Sequence, residues 1–397
     1  MAISNRSILP DALVGAQWVE MDTSDLKPVC LLVTEQGRYI KLSLAARVVL
    51  ESLQVGHSYE TIAQTLTLAQ GHTTTAEEVE IILQHLLQQI QEISVAPLRQ
   101  KTFWWSHLLV RADVVERWAK LLSIAFHPAF AVVIFAGIMP VTGVVLGWWN
   151  LHLQLSWPAV VLFLLSVLVH ELGHATACVR YGAKPSEIGF GIYLIYPVLY
   201  SNVSDVWRLK RWQRAIVDAG GLYFQFALAA AYATTYLLSG WEAFRAASLM
   251  IMLGLAFNLN PVLKFDGYWA VADLLGVTNL SEQPLYILRY VVCRLKGKVM
   301  PPLPWPSRTI LVLLAYSMGV ILFWINIVIK ILPWIWQMLY TLPQQIMVLL
   351  NSSSRKSDGI LSISSYLMMA LVVVVIINLF LKFAQWVWSL VLRRRTS

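Results

Sequence analysis

Charge is what this sequence has least of. Asp, Glu, Lys and Arg make up only 13% of its 397 residues, against about 25% in an ordinary soluble domain. So few solvating side chains cannot cover a water-exposed surface, and the 58% of apolar residues with a mean hydropathy of +0.63 point to a polytopic membrane protein. Cysteine is almost missing as well. Cys30, Cys178 and Cys293 lie far apart with no C-x-x-C pairing, which excludes a disulfide framework and a thiolate zinc site. Acidic residues are outnumbered 22 to 30, for a formal charge of +8. The cations, however, gather beside apolar runs, as at Arg208 to Arg214 and Arg393 to Arg395, and so read as topology signals. No nucleic-acid partner is expected. Met1 to Gln17 has no compact apolar core behind a basic start, so no cleavable signal peptide is expected either.

What is present is unevenly placed. Residues 1–100 look like a soluble domain, and nearly all long apolar runs follow His127. Inside one of these, from Leu155 to Cys178, stands Val169-His170-Glu171-Leu172-Gly173-His174. On a helix, residues four apart share a face, so His170 and His174 can offer ring nitrogens to one metal while Glu171 acts on a water beside it. This is the H-E-x-x-H signature, whose usual chemistry is peptide hydrolysis. Ionisable groups in a membrane span are costly and persist where they function.

The front of the chain predicts two short strands, 28–34 and 38–42, joined by a turn through Glu35-Gln36-Gly37. Helices follow from Ser43 to Leu53, over Tyr59–Leu68, and from a capping box of Thr75 and Glu78 to about Ile93. That pattern describes a small winged-helix-like α+β domain. The helix in the recognition position, Tyr59–Leu68, has no Lys or Arg and carries Glu60, which argues against duplex binding. The segments GRYIKLS, LSLAARVVLESL and SYETIAQTL resemble PqqD-like domains. The resemblance implies a groove between the hairpin edge and the third helix, in which the leader segment of a precursor peptide adds a strand. The alternative is a domain that only stabilises or tethers the membrane part.

Residues 97–121, with Trp104, Trp105, Trp118, Arg111, Arg117 and Lys120, suit an interfacial linker. A first span is expected over Leu122–Trp149, with His127 an interfacial residue rather than a ligand, and a second over Trp157–Cys178. Arg180 and Lys184 follow the second, so its metal-bearing end is expected on the cytoplasmic side. Residues 185–213 are too broken for a helix. They read either as a re-entrant hairpin whose strand edge receives an unwound substrate or as an interfacial loop, with Asp205 and Glu187 supporting the site or merely solvated. A third span, Ala215–Ser239, opens with Asp218-Ala219-Gly220-Gly221; the two glycines read as packing contacts and Gln225 as a polar one.

A fourth span, Ala246–Leu263, leads into FNLNPVLKFDGYW. A hydrolytic zinc site needs a third protein ligand, and Asp266 supplies a carboxylate at matching depth. Pro261 breaks the helix, leaving Asn258 or Asn260 able to face the site and hydrogen-bond a substrate carbonyl. With these residues in place the chain resembles the site-2 protease family of intramembrane zinc metallopeptidases, which pairs H-E-x-x-H with N-x-x-P-x-x-x-x-D-G. Asn258, Pro261, Asp266 and Gly267 stand at those spacings. The resemblance covers roughly Leu122–Trp269. It implies zinc ligation by His170, His174 and Asp266, catalysis by Glu171 and assistance from Asn258. The NPVLKFDGYW form and the PqqD-like front end resemble a bacterial branch of peptide zinc metalloproteases associated with modified-peptide and bacteriocin systems. No PDZ-like domain follows the catalytic spans, which leaves the N-terminal domain as candidate selector.

A fifth span over Ile310–Leu332, an aromatic segment at 334–350 and a sixth span over Ile360–Leu390 complete the expectation: about six transmembrane helices and both termini in the cytoplasm. The expected parts are residues 1–96 for peptide binding, 97–121 as linker, 122–269 as protease core and 270–397 as a cytoplasmic segment with two more spans. The expected function is a zinc endopeptidase of a bacterial inner membrane that trims a leader-bearing ribosomal peptide, beside an exporter or peptide-modifying enzyme. The rivals are cleavage of a single-span signalling protein and a non-proteolytic peptide-binding, export or immunity component.

Overall fold

The computed structural model describes residues 16–24, 29–34, 39–70, 73–95, 105–146, 156–193, 196–201, 203–299 and 302–351. Residues up to Ser317 form one compact unit, and a second begins at Met318.

The first described element is an antiparallel sheet in the order β1 (Gln17–Met21), β2 (Val29–Val33) and β3 (Tyr39–Ser43). β2 and β3 are the expected hairpin, whereas β1 was not expected: QWVEM has only one strong alternation, and its pairing with β2, Gln17 opposite Val33 and Met21 opposite Val29, decides its state. Three helices follow, α1 (Leu44–Val55), α2 (Tyr59–Gln70) and α3 (Ala76–Val95). Ser43 caps α1 by accepting from the Ala46 N–H. The capping box at α3 is complete, the Thr75 N–H donating to Glu78 Oε2 at 3.0 Å and the Glu78 N–H to Thr75 Oγ1 at 3.2 Å. Leu32, Leu42, Val49, Leu50, Ile62, Leu66, Val79 and Leu83 close one core between sheet and helices.

The stretch expected to be an interfacial linker contains a strand that was not expected, β4 (Trp105–Val110), ahead of α4 (Ala112–Leu122). β4 pairs with β5 (Ile188–Tyr193), which pairs with β6 (Tyr196–Ser201), so 185–213 holds a hairpin inside a second three-stranded sheet. The first expected span is broken. A 3-10 turn at Ser123–Phe126 is followed by α5 (Pro128–Ala136) and α6 (Ile138–Leu146), and the chain bends by 79° between the segments Ala112–Phe126 and Pro128–Val144. The bend falls at His127-Pro128, where the imidazole Nδ1 accepts from the Ala129 N–H and Pro128 opens the helix.

The centre of the fold is the pair α7 (Trp157–Arg180) and α8 (Arg211–Ser239). Partners run 174 with 217, 173 with 220, 170 with 225 and 162 with 232, so the helices are antiparallel. Glycine makes the close approach possible: a Cβ on Gly173 would lie 2.4 Å from the Gly220 carbonyl oxygen, and one on Gly220 2.7 Å from that of Gly173. α9 (Glu242–Asn258) ends earlier than expected because the chain turns before Pro261, which offers no N–H. α10 (Asp266–Leu275), α11 (Gln283–Leu295) and α12 (Ser307–Asn351) follow. Tyr268, Ala272, Leu280, Ile287, Trp305 and Leu313 pack α10, α11 and the start of α12 together.

Among the described residues three helices are long and apolar enough to cross a membrane, Trp157–Arg180, Arg211–Ser239 and Ser307–Lys330, and a fourth crossing follows if the bent segment counts as one. At 17 residues, α9 is short for a crossing. The expected sixth span, 360–390, lies outside the described residues.

Candidate metal centre

His170 and His174 occupy successive turns of α7, and both rings are buried. Their Nε2 atoms lie 3.0 Å apart. Asp266 opens α10, where a carboxylate suits the positive end of a helix. Its Oδ2 is 2.9 Å from His170 Nε2 and its Oδ1 3.6 Å from His174 Nε2. Three ligand-type side chains separated by 96 residues of sequence thus offer atoms within 4.8 Å of one another.

The hydrogen bonds behind the rings decide what they present. Ser166 donates its hydroxyl proton to the Phe163 carbonyl at 2.6 Å, so its oxygen accepts from Gln225 Nε2 at 3.4 Å. That orientation turns Gln225 Oε1 towards His170 Nδ1, 3.0 Å away, and the proton of His170 must sit on Nδ1. His174 Nδ1 donates to the Val217 carbonyl at 2.8 Å, with the same consequence. Two Nε2 lone pairs and a carboxylate therefore converge on one point. Such a donor set repels itself unless a cation sits among its members, and two imidazoles with one carboxylate match a zinc site that keeps an open position.

Gly221 makes room for the centre. A Cβ there would stand 2.6 Å from His170 Cε1 and Nε2 and from His174 Nε2. Gly267 lets Asp266 reach it: a Cβ at Gly267 would lie 2.6 Å from the Leu259 carbonyl, where the end of α9 packs on the start of α10. Tyr316 braces the same loop by donating its hydroxyl to the Pro261 carbonyl at 3.0 Å.

Glu171 neighbours both histidines in sequence, and among the described residues nothing hydrogen-bonds its carboxylate. Asn258 ends α9, half-buried, and its side chain likewise makes no hydrogen bond among the described residues. Asp205 belongs elsewhere: it accepts from Tyr39, Arg208 and the Lys184 N–H, joining the first sheet to the chain before α8. The sequence reading missed Ser166, Val217 and the orienting part played by Gln225. A polar residue in an apolar helix marks Gln225, but only the antiparallel register shows which ring it meets.

No protein-family profile matches the chain, and no solved structure matches it significantly. A curated protein of Bacillus subtilis (strain 168), named "Putative peptide zinc metalloprotease protein YydH", is 27% identical over 128 residues, 31% of this chain and 50% of that protein. The chain thus spans about half the length of the relative it matches. Zinc, the cofactor read from the sequence, is the metal in that name, and the cluster of His170, His174 and Asp266 is able to hold a metal ion.

Proposed function

We propose that this chain is a zinc-dependent intramembrane endopeptidase of the site-2 protease type, with His170, His174 and Asp266 as the ligands. The observation that carries the reading is the convergence of two Nδ1-protonated imidazoles and one carboxylate, with an unengaged glutamate beside them. When bound, zinc supplies Lewis acidity, polarising a scissile carbonyl and making a water easier to deprotonate. Glu171 is the base that accepts the water's proton and returns it to the leaving amine. Asn258, at the end of α9, gives its amide to the oxygen that gains negative charge. A helical substrate hides its amides in its own hydrogen bonds, so the segment to be cut must be extended. β6 suits that need, since it is an edge strand lying against α7.

The substrate class proposed is a peptide made in the cytoplasm and carrying a leader held by the PqqD-like N-terminal domain, with an exporter or modifying enzyme as neighbour. The peptide in the name of the Bacillus relative and the winged arrangement of β1–β3 with α1–α3 support this. The topology proposed has six spans, both termini in the cytoplasm and the metal centre near the inner leaflet.

The test is Glu171→Gln in purified, detergent-solubilised protein. Zinc content should stay near that of the unmodified chain, while hydrolysis of peptides encoded next to the gene should fall by about 10² or more. Full activity in that variant rules out the assigned base. Equal zinc content in His170→Ala rules out the metal site.

A further inference from the structure

The N-terminal domain is not merely tethered to the membrane part. Tyr39 donates its hydroxyl to Asp205, Lys41 lies 4.0 Å over the Trp207 ring, Asp22 Oδ2 accepts from the Arg211 N–H at 3.1 Å, and the Ser24 N–H donates to the Gly276 carbonyl at 2.8 Å. At the heart of this seam is Arg214, a guanidinium with no solvent exposure. Its Nε donates to Asp273 Oδ1 at 2.8 Å, one terminal nitrogen to the Leu209 carbonyl at 2.9 Å and the other to the Asp22 carbonyl at 2.9 Å. A buried guanidinium needs such partners, and one of them is backbone of the N-terminal domain.

Arg214 also stands in line with the metal centre. Residues 214, 217, 218, 221 and 225 recur at helical spacing on one face of α8. Val217 holds His174, Gly221 packs on both rings and Gln225 holds His170. Asp218, buried with one carboxylate oxygen unpartnered, lies near Arg214, Asp273 and Asp266. On α10, Asp273 and the ligand Asp266 are seven residues apart and share a face. Arg214, the buried cation of this face, therefore joins the helix that orients both imidazoles, the helix that delivers the carboxylate and the N-terminal domain.

We infer that Arg214 is a positioning residue through which the docked N-terminal domain holds the metal centre in register. The inference rests on the metal assignment above. With the domain docked, the Asp22 carbonyl completes the guanidinium's shell, and α8 and α10 are drawn together. Without it, one donor is left buried and unpaired, and the seam between the two helices slackens. A peptide held on the domain is thereby referred to the cutting centre through a rigid connection.

The experiment uses full-length protein in detergent, loaded with zinc or with cobalt. Arg214→Lys keeps the charge but loses the three-way fork, and the double variant Tyr39→Phe, Lys41→Ala weakens docking without touching the core. Chelator-driven zinc loss should be about tenfold faster in Arg214→Lys and about threefold faster in the double variant. The visible cobalt bands of the folded fraction should shift in both, which a residue serving stability alone would not cause. Wild-type spectra and zinc-loss rates in both variants overturn the coupling while leaving the metal assignment intact. Absence of stoichiometric metal in the unmodified chain, or its retention in His170→Ala, overturns both.

Discussion

At the residue scale the question is why two imidazoles in an apolar helix present lone pairs to the same point. The answer is a relay of dipoles: Phe163 carbonyl, Ser166 hydroxyl, Gln225 amide, His170 ring. Each link fixes the next, and breaking it allows the proton to move to Nε2, where it would face the metal. Gln225→Leu should therefore weaken zinc binding by about 10- to 100-fold, while Gln225→Glu, which keeps an acceptor on Nδ1, should retain it; competition against a chelator of known affinity measures both. Equal binding in Gln225→Leu would leave His170 oriented by its helix alone. Gly221 predicts a steric counterpart. A methyl 2.6 Å from both rings cannot be accommodated unless they turn, so Gly221→Ala should lower zinc content although its helix propensity is better by about 1 kcal/mol.

At the element scale, local signals were readable in the sequence where residues act on their own neighbours. Ser43, the Thr75–Glu78 box, the 3.6-residue pattern of α1–α3 and the break before Pro261 all work within a few residues, and the structure places those elements within a few residues of expectation. The cluster able to hold a metal was legible for a similar reason, since H-E-x-x-H sets two ligand-type side chains on one helix face and only Asp266 had to come from afar. β1 and β4 were not legible because each owes its state to a partner strand remote in sequence. Asp205 shows the same limit. Nothing near it in the chain announces Tyr39, 166 residues away. Burial alone would push the Asp205 carboxyl up, but Arg208, Tyr39 and the Lys184 N–H together hold it below its ordinary value. A carboxyl depressed on folding stabilises the docked state above the ordinary aspartate range, about 3.9, and the contribution is lost as the pH falls through the lowered value. Docking of the N-terminal domain, followed by its resistance to protease, should thus be constant from neutral pH down to that range and weaken only below it. In Asp205→Asn the acid-induced loss should be blunted and protection lower at neutral pH.

At the scale of the whole molecule, the cations divide the membrane part into two ends. Arg180, Lys184, Arg208, Lys210, Arg211 and Arg214 gather where α7 ends and α8 begins, beside the N-terminal domain. The opposite end, where α8 meets α9, carries Glu242 paired with Arg245 at 2.7 Å. A helix of 24 residues spans about 36 Å at 1.5 Å per residue, enough to cross the hydrocarbon layer. α7 and α8 are therefore long enough to separate two aqueous faces, and the topology proposed above has the cationic end in the cytoplasm, as the positive-inside rule favours. His170 lies ten residues, or about 15 Å, from Arg180 along the helix, closer to the cationic end than to the other. In a Cys293→Ser background, where the remaining Cys30 and Cys178 are buried, a membrane-impermeant thiol reagent added to intact spheroplasts should label Gly240→Cys. It should reach Lys184→Cys only after the membrane is opened. The reverse pattern would place the metal centre at the outer face, where a peptide made in the cytoplasm could not meet it before export.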